Sequence, residues 1–255
     1  MSVFVIIQAR SGSSRLPSKV LLPIMKKPVL GWVVDRVSKC KEASIIAVAT
    51  TLESLDDPVE DLCKSLNISC FRGSEEDVLD RYYGTARFVS AKTGDIIVRI
   101  TGDCPFIDPD VCDDVIRLLK KTGVDYASNI SPPSFPDGLD CEVFTFETLE
   151  KAWSEAKLIY EREHVTQYII KNPELFSSKN LSASEDFSDM RWTIDYPEDY
   201  EFLSAVAGRL GCYDFTYDNV LRLLKSEPEL MDINTKHERN EGLQISIDNE
   251  IGAGL

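Results

Sequence analysis

The chain has 255 residues, 43% of them apolar, and a formal net charge of −15. That length suits one large α/β domain, and that apolar share excludes wholesale disorder. The acidic balance excludes broad binding to nucleic acid or an anionic membrane, both of which need a basic face, but still permits a small anion in a local positive pocket.

Strand-like β-branched runs alternate with helical patterns, which predicts βαβ units and a mainly parallel sheet. Val3–Gln8 reads as the first strand, and a helix follows Pro28 to about Cys40. Ile45–Thr50 reads as a strand, Pro58–Leu66 as a helix and Ser69–Arg72 as a short strand. Glu75–Ser90 reads as a helix with an apolar stripe, and Asp95–Ile100 as a buried strand. Asp108-Pro109-Asp110 opens a helix to Lys121. After Val124–Ser128 a breaker-rich loop runs from Ser131 to Gly138. Beyond it Cys141–Phe146 reads as a strand, and Phe146–Leu158 and Glu161–Lys171 as helices. Arg191–Asp195 is expected to return to the sheet, with Pro197–Leu210 as the next helix. The expected organisation is one domain over 1–235, with a lid or dimerisation lobe near 130–188 and a partly mobile tail over 236–255.

The seven cysteines form no C-x-x-C, and His164 and His237 are the only histidines, so zinc-ligand spacing is absent. Scattered thiols suit a reducing cytosol, and the N-terminal apolar run is too short for a membrane span or signal sequence. The expectation is a cytoplasmic protein.

The densest chemistry lies in Ala9-Arg10-Ser11-Gly12-Ser13-Ser14-Arg15-Leu16-Pro17-Ser18-Lys19, directly after the first strand. Residues 1–40 hold seven Lys or Arg and one acid, Asp35, while the rest of the chain holds 21 and 42. Backbone N–H groups, hydroxyls and fixed cations at a strand end suit a polyphosphate. The loop is neither a Walker A sequence nor G-x-G-x-x-G. Asp103, in Thr101-Gly102-Asp103-Cys104-Pro105, ends a buried strand where open α/β sheets bind ligands. It reads as a metal carboxylate or as a turn aspartate. Asp195, in Arg191-Trp192-Thr193-Ile194-Asp195, reads as a second metal carboxylate or as a helix cap. Asp108-Pro109-Asp110 is formally a D-x-D, but Asp108 also fits an N-cap before Pro109, and the cap is the preferred reading. Asp140 and Glu142 share one face of a strand and read as sugar-hydroxyl ligands or a solvated edge. Arg162 and His164 read as structural or as contacts to an acidic substrate.

Together these residues resemble the cytidylyltransferases of acidic sugars, the 3-deoxy-manno-octulosonate and acylneuraminate enzymes, and most closely the spore coat polysaccharide biosynthesis protein F branch. The resemblance covers roughly residues 3–235 and is most specific in the pattern Ala9-Arg10-x-x-Ser13-x-Arg15-Leu16-Pro17-x-Lys19. Ser18 replaces the glycine usual there. Gly73-Ser74-x-x-Asp77, Gly138-Leu139-Asp140-x-Glu142 and Arg162-Glu163-His164 resemble the branch. The resemblance implies a doubly wound, Rossmann-like α/β fold with a small inserted lobe and homodimerisation. It implies that Arg10, Arg15 and Lys19, with Ala9, Ser11, Gly12 and Ser13, hold the triphosphate of CTP, and that Asp103 and Asp195 bind Mg²⁺. The segment Arg72, Gly73 to Asp77 would lie near the base, and an acidic sugar would accept CMP with release of pyrophosphate. Other nucleotides, phosphorylated acceptors, a glycosyltransferase and a non-catalytic binding module are the alternatives.

Overall fold

The computed structural model describes residues 1–237, 239 and 241–252. β1 (Val3–Gln8) is followed by a small hairpin of β2 (Pro23–Ile24) and β3 (Lys27–Pro28). The further strands are β4 (Ile45–Thr51), β5 (Ser69–Gly73), β6 (Ile96–Thr101), β7 (Tyr126–Ser128), β8 (Glu142–Thr145) and β9 (Ser178–Asn180). Apart from the hairpin they form one seven-stranded sheet in the order β5–β4–β1–β6–β8–β7–β9. Six of these strands share a direction, and β8 alone runs against its neighbours β6 and β7.

The apolar runs explain the layering. Val3 to Ile7 is buried at every position, as a central strand covered on both faces requires. Val5 and Ile7 pack beneath α1 (Val29–Val37), α2 (Asp57–Ser65) and α4 (Pro109–Thr122). Phe4 and Ile6 point the other way, toward α3 (Val78–Phe88), α5 (Phe146–Glu155) and, beyond the short α6 (Ile159–Glu163), α7 (Gln167–Lys171). A third cluster gathers Trp32, Trp192, Phe202 and Leu224 between the hairpin, α8 (Pro197–Leu210) and α9 (Tyr217–Ser226). A last helix, α10 (Glu241–Gly252), ends the described chain. Helices cover both sides of the sheet, so the α/β expectation holds.

From β1 the chain moves outward to β4 and β5, then returns to β6 on β1's other side. The carboxyl ends of β1 and β6 therefore flank a topological switch point, where such sheets open a crevice. Register sets Gln8 opposite Thr101, so the loop after β1 and the turn after β6 start side by side.

Two local expectations are corrected. Arg191–Asp195 is not a strand: among the described residues its one bridge pairs Arg191 with Asp137. The N–H groups of Trp192 and Ile194 bond instead to the carbonyls of Asp137 and Asp103, which ties the segment to the turn beyond β6. Gly138 makes this approach possible, with φ of 108° and a position where a Cβ would come 2.6 Å from the Trp192 backbone. Glu161–Lys171 is two helices, because the buried Val165 takes a left-handed conformation with φ of 54°. Residues 130–188, expected as a lobe, supply β8 and β9 to the main sheet and carry α5, α6 and α7. The segment expected as a weakly periodic tail holds the twelve-residue α10, with residues 238, 240 and 253–255 outside the described residues.

Candidate functional site

The loop leaving β1 is pinned at several points. The Ser11 N–H donates to Asp56 (2.6 Å), and the Ser18 N–H closes back onto the Ser11 carbonyl (2.9 Å). Ser18, at the position of the resemblance's glycine, takes a left-handed φ of 55°. Gly102 lets the two strand ends meet: its N–H reaches the Gln8 carbonyl at 2.7 Å, and a Cβ there would stand 2.9 Å from Ala9. The resulting crevice encloses about 310 Å³ and is lined by Ala9, Arg10, Gly12, Ser13, Arg15 and Lys19 of the loop. Asp103, His164 and Asp195 complete the expected residues on its wall.

Lys19 is the hub. Its ammonium donates to Asp103 Oδ2 (2.5 Å), Asp195 Oδ1 (2.7 Å) and the Ile194 carbonyl (2.7 Å). Burial disfavours that charge, yet Asp103 and Asp195 outweigh it and hold the Lys19 pKa above the ordinary lysine value. Arg15 also reaches Asp195 Oδ1 (2.7 Å), and Arg191 reaches Oδ2 (2.8 Å). Burial acts to raise the Asp195 pKa, but Lys19, Arg15 and Arg191 together bring it down to about 2. A carboxylate depressed in the fold stabilises it above its ordinary pKa of about 4 and loses that contribution as pH falls through the folded value. Asp195→Asn is therefore expected to lose less stability than the parent chain between pH 5 and pH 2, read from urea midpoints. Equal losses would contradict the assignment of this carboxylate.

Not every early cation serves the crevice. Arg36 is buried and donates to the carbonyls of Ile107 (2.6 Å) and Phe215 (2.9 Å), a structural clamp. Lys27 pairs with Asp35 and lies over the Tyr213 ring. The positive charge of residues 1–40 is thus divided between the site and the frame.

Several expected residues lie away from the crevice lining. Ser11 is fully buried in the loop's underside. Arg72 turns to Asp57 (2.7 Å) and Glu60 (3.0 Å) on α2. Gly73 ends β5 against Phe71 and Arg81. Asp77 caps α3 through the Asp80 N–H (2.8 Å) and is bound by Arg162 (2.6 Å), which ties α6 to α3. Glu142 is spent within the sheet on Arg99 and on the Tyr126 hydroxyl (2.6 Å). Asp140 pairs with Arg239, and burial raises its pKa to about 7 against that pairing. Asp108 is the N-cap of α4, accepting from the Asp110 N–H at 2.9 Å, so the D-x-D reading gives way to the cap.

Sequence reasoning missed Arg81, Glu163 and Gly242 on the crevice wall. Arg81 is 2% exposed, and its signal was a cation set among Val78, Leu79 and Tyr82 on an inward helix face. Burial, then Arg10, lowers its pKa.

Among the described residues, no group of three or more acids, histidines or cysteines is placed to hold a metal ion. Asp103 and Asp195 nevertheless converge on one cationic atom, the Lys19 ammonium. Two carboxylates with substrate phosphates and waters are a sufficient donor set for Mg²⁺, so this pair fits such an ion.

Comparisons with known proteins bear on the family and the fold. A family model described as cytidylyltransferase matches residues 4–227. The spore coat polysaccharide biosynthesis protein SpsF of Bacillus subtilis is 35% identical over 89% of the chain and 95% of its own length. The 8-amino-3,8-dideoxy-manno-octulosonate cytidylyltransferase of Shewanella frigidimarina is 27% identical over 85% of the chain and 75% of its own. The solved structure of a cytidylyltransferase from Leptospira borgpetersenii superposes with a TM-score of 0.87 at 36% identity, covering 94% of this chain and all of that one.

Proposed function

Since the chain belongs to the cytidylyltransferase family and is a CTP-dependent nucleotidyltransferase, we propose that it transfers CMP from CTP to the hydroxyl of an acidic sugar, for surface polysaccharide synthesis. The observation that carries this reading is the Lys19 ammonium spanning two carboxylates beside a loop that presents Arg10 and Arg15. The acceptor oxygen attacks the α-phosphorus of CTP, the bond from that phosphorus to the bridging oxygen breaks, and pyrophosphate leaves. Such chemistry needs positioning and charge neutralisation and no protein nucleophile.

Arg10 orients the triphosphate, while Arg15 and Lys19 meet the charge that develops on the departing pyrophosphate. Asp103 and Asp195 are the residues that would hold Mg²⁺, which when bound neutralises phosphate oxygens and lowers the pKa of the attacking hydroxyl. Burial lowers the His164 pKa and so favours its neutral form, and from the crevice wall it offers the acceptor a hydrogen-bonding imidazole. The relatives' names support the acceptor class, since one acts on an amino-dideoxy-octulosonate and another serves polysaccharide synthesis. Homodimerisation, implied by the resemblance, belongs to the same proposal.

The test is a panel of 2-keto-3-deoxy sugar acids, neutral sugars and phosphorylated acids, each incubated with CTP and Mg²⁺. A cytidine monophosphate conjugate of a sugar acid, identified by mass, is the expected product. Conjugates formed only with neutral or phosphorylated acceptors would overturn the acceptor assignment.

A further inference from the structure

The C-terminal segment lies across residues that the proposed reaction uses. Glu241, at the start of α10, accepts from the Tyr196 hydroxyl (2.7 Å) and from Arg15 (3.5 Å). Gly242 lines the crevice itself. One turn on, the Ser246 hydroxyl bonds His164 Nε2 (3.0 Å) and donates to Glu163 (2.8 Å). Near the far end, Glu250 accepts the N–H groups of Ile159 (3.0 Å) and Tyr160 (3.1 Å) at the first turn of α6. Just before the helix, His237 stacks on Tyr196 with ring centroids 3.6 Å apart, and Arg239 pairs with Asp140.

These contacts are polar. Among the described side chains of α10 the buried one is the carboxylate Glu250, Leu243 and Ile247 are half-buried, and Ile245 is exposed. A helix held largely by hydrogen bonds and half-exposed charge, with no fully buried apolar side chain among those described, belongs to the part of a protein that opens at low free-energy cost. Arg15 is also a cation for which a triphosphate would compete, with several phosphate charges against the single one of Glu241.

We propose that α10 is a strap that a polyphosphate displaces. Arg15 is held by Asp195 (2.7 Å), and Glu241 stands at its other nitrogen (3.5 Å), where a phosphate oxygen would bind. Ligand binding exchanges the Glu241 carboxylate for phosphate and frees the helix from the crevice mouth. The inference rests on the reading of the crevice as a triphosphate site. Its distinctive claim is that ligand binding loosens α10, whereas a lid closing over its ligand would tighten it.

Inorganic tripolyphosphate is the probe, with two readouts. In the full chain, tripolyphosphate is expected to speed amide hydrogen exchange across 241–252. In Glu241→Gln, where the competing charge is gone, tripolyphosphate is expected to bind about two- to fivefold more tightly by calorimetry, the range measured for partly exposed ion pairs. Binding to both chains with equal affinity, or with slowed exchange in α10, overturns the strap alone. Binding to neither chain overturns the triphosphate reading of the crevice and the strap with it.

Discussion

Lys19→Met is expected to lower the rate of pyrophosphate release from CTP by about 10²–10³-fold, the usual effect of removing one preorganised charge at a developing anion. The substitution keeps the stem's volume but removes the ammonium that joins Asp103, Asp195 and the Ile194 carbonyl. Two half-buried carboxylates then face each other with Arg15 and Arg191 as the remaining cations on Asp195. Lys19→Arg is expected to rescue little, because a planar fork cannot reproduce a point charge shared among three oxygens. Steady-state kinetics would show the loss mainly in turnover. Turnover within tenfold of the parent chain would remove Lys19 from the transition state.

The second large effect is on stability. Arg191→Met is expected to destabilise the fold by about 3–5 kcal/mol, the range for breaking a buried ion pair by removing one partner. Arg191 bonds Asp137 (3.0 Å), Asp195 (2.8 Å) and Asp199 (2.9 Å), and its side chain is 8% exposed. Asp199 is fully buried and also accepts the N–H groups of Asp195 and Tyr196 and the amide of Asn234. Without Arg191 the Asp199 charge has lost its cationic partner among the described residues, and the backbone that presents Asp195 is anchored more weakly. Urea unfolding measures the loss. The double variant Arg191→Met, Asp199→Leu should recover part of it, because the stranded charge is gone. A loss below about 1 kcal/mol in the single variant would mean that the network is solvated in practice.

Features written in local spacing were legible in the sequence alone. The unbroken apolar run of β1 specifies a central parallel strand, and a polycationic loop right after it must open at a strand end. Asp108 was readable as a cap because its partners are two and three residues away. Arg72, Asp77, Asp140, Glu142 and Arg162 were not readable, because their charges are answered from other elements. Arg72 meets acids of α2, and Arg162 crosses 85 residues to Asp77. Asp140 meets Arg239 from 99 residues away. Arg191–Asp195 failed for a related reason. Its apolar alternation is that of a strand, but its hydrogen bonds go to the turn beyond β6 and to Asp137, which no periodicity encodes. The crevice was legible as a loop faced by two acids, Asp103 and Asp195. Its outer wall, made by Glu163 and the start of α10, was not.

In the proposed reaction the crevice between the loop 9–19 and Asp103 holds the triphosphate of CTP. A crystal structure of the full chain with CTP tests it most directly. The triphosphate is expected against Arg10, Arg15 and Lys19, with the α-phosphate turned toward Asp103 and Asp195. A CTP triphosphate bound elsewhere, with Lys19 still engaged by both carboxylates, would contradict it.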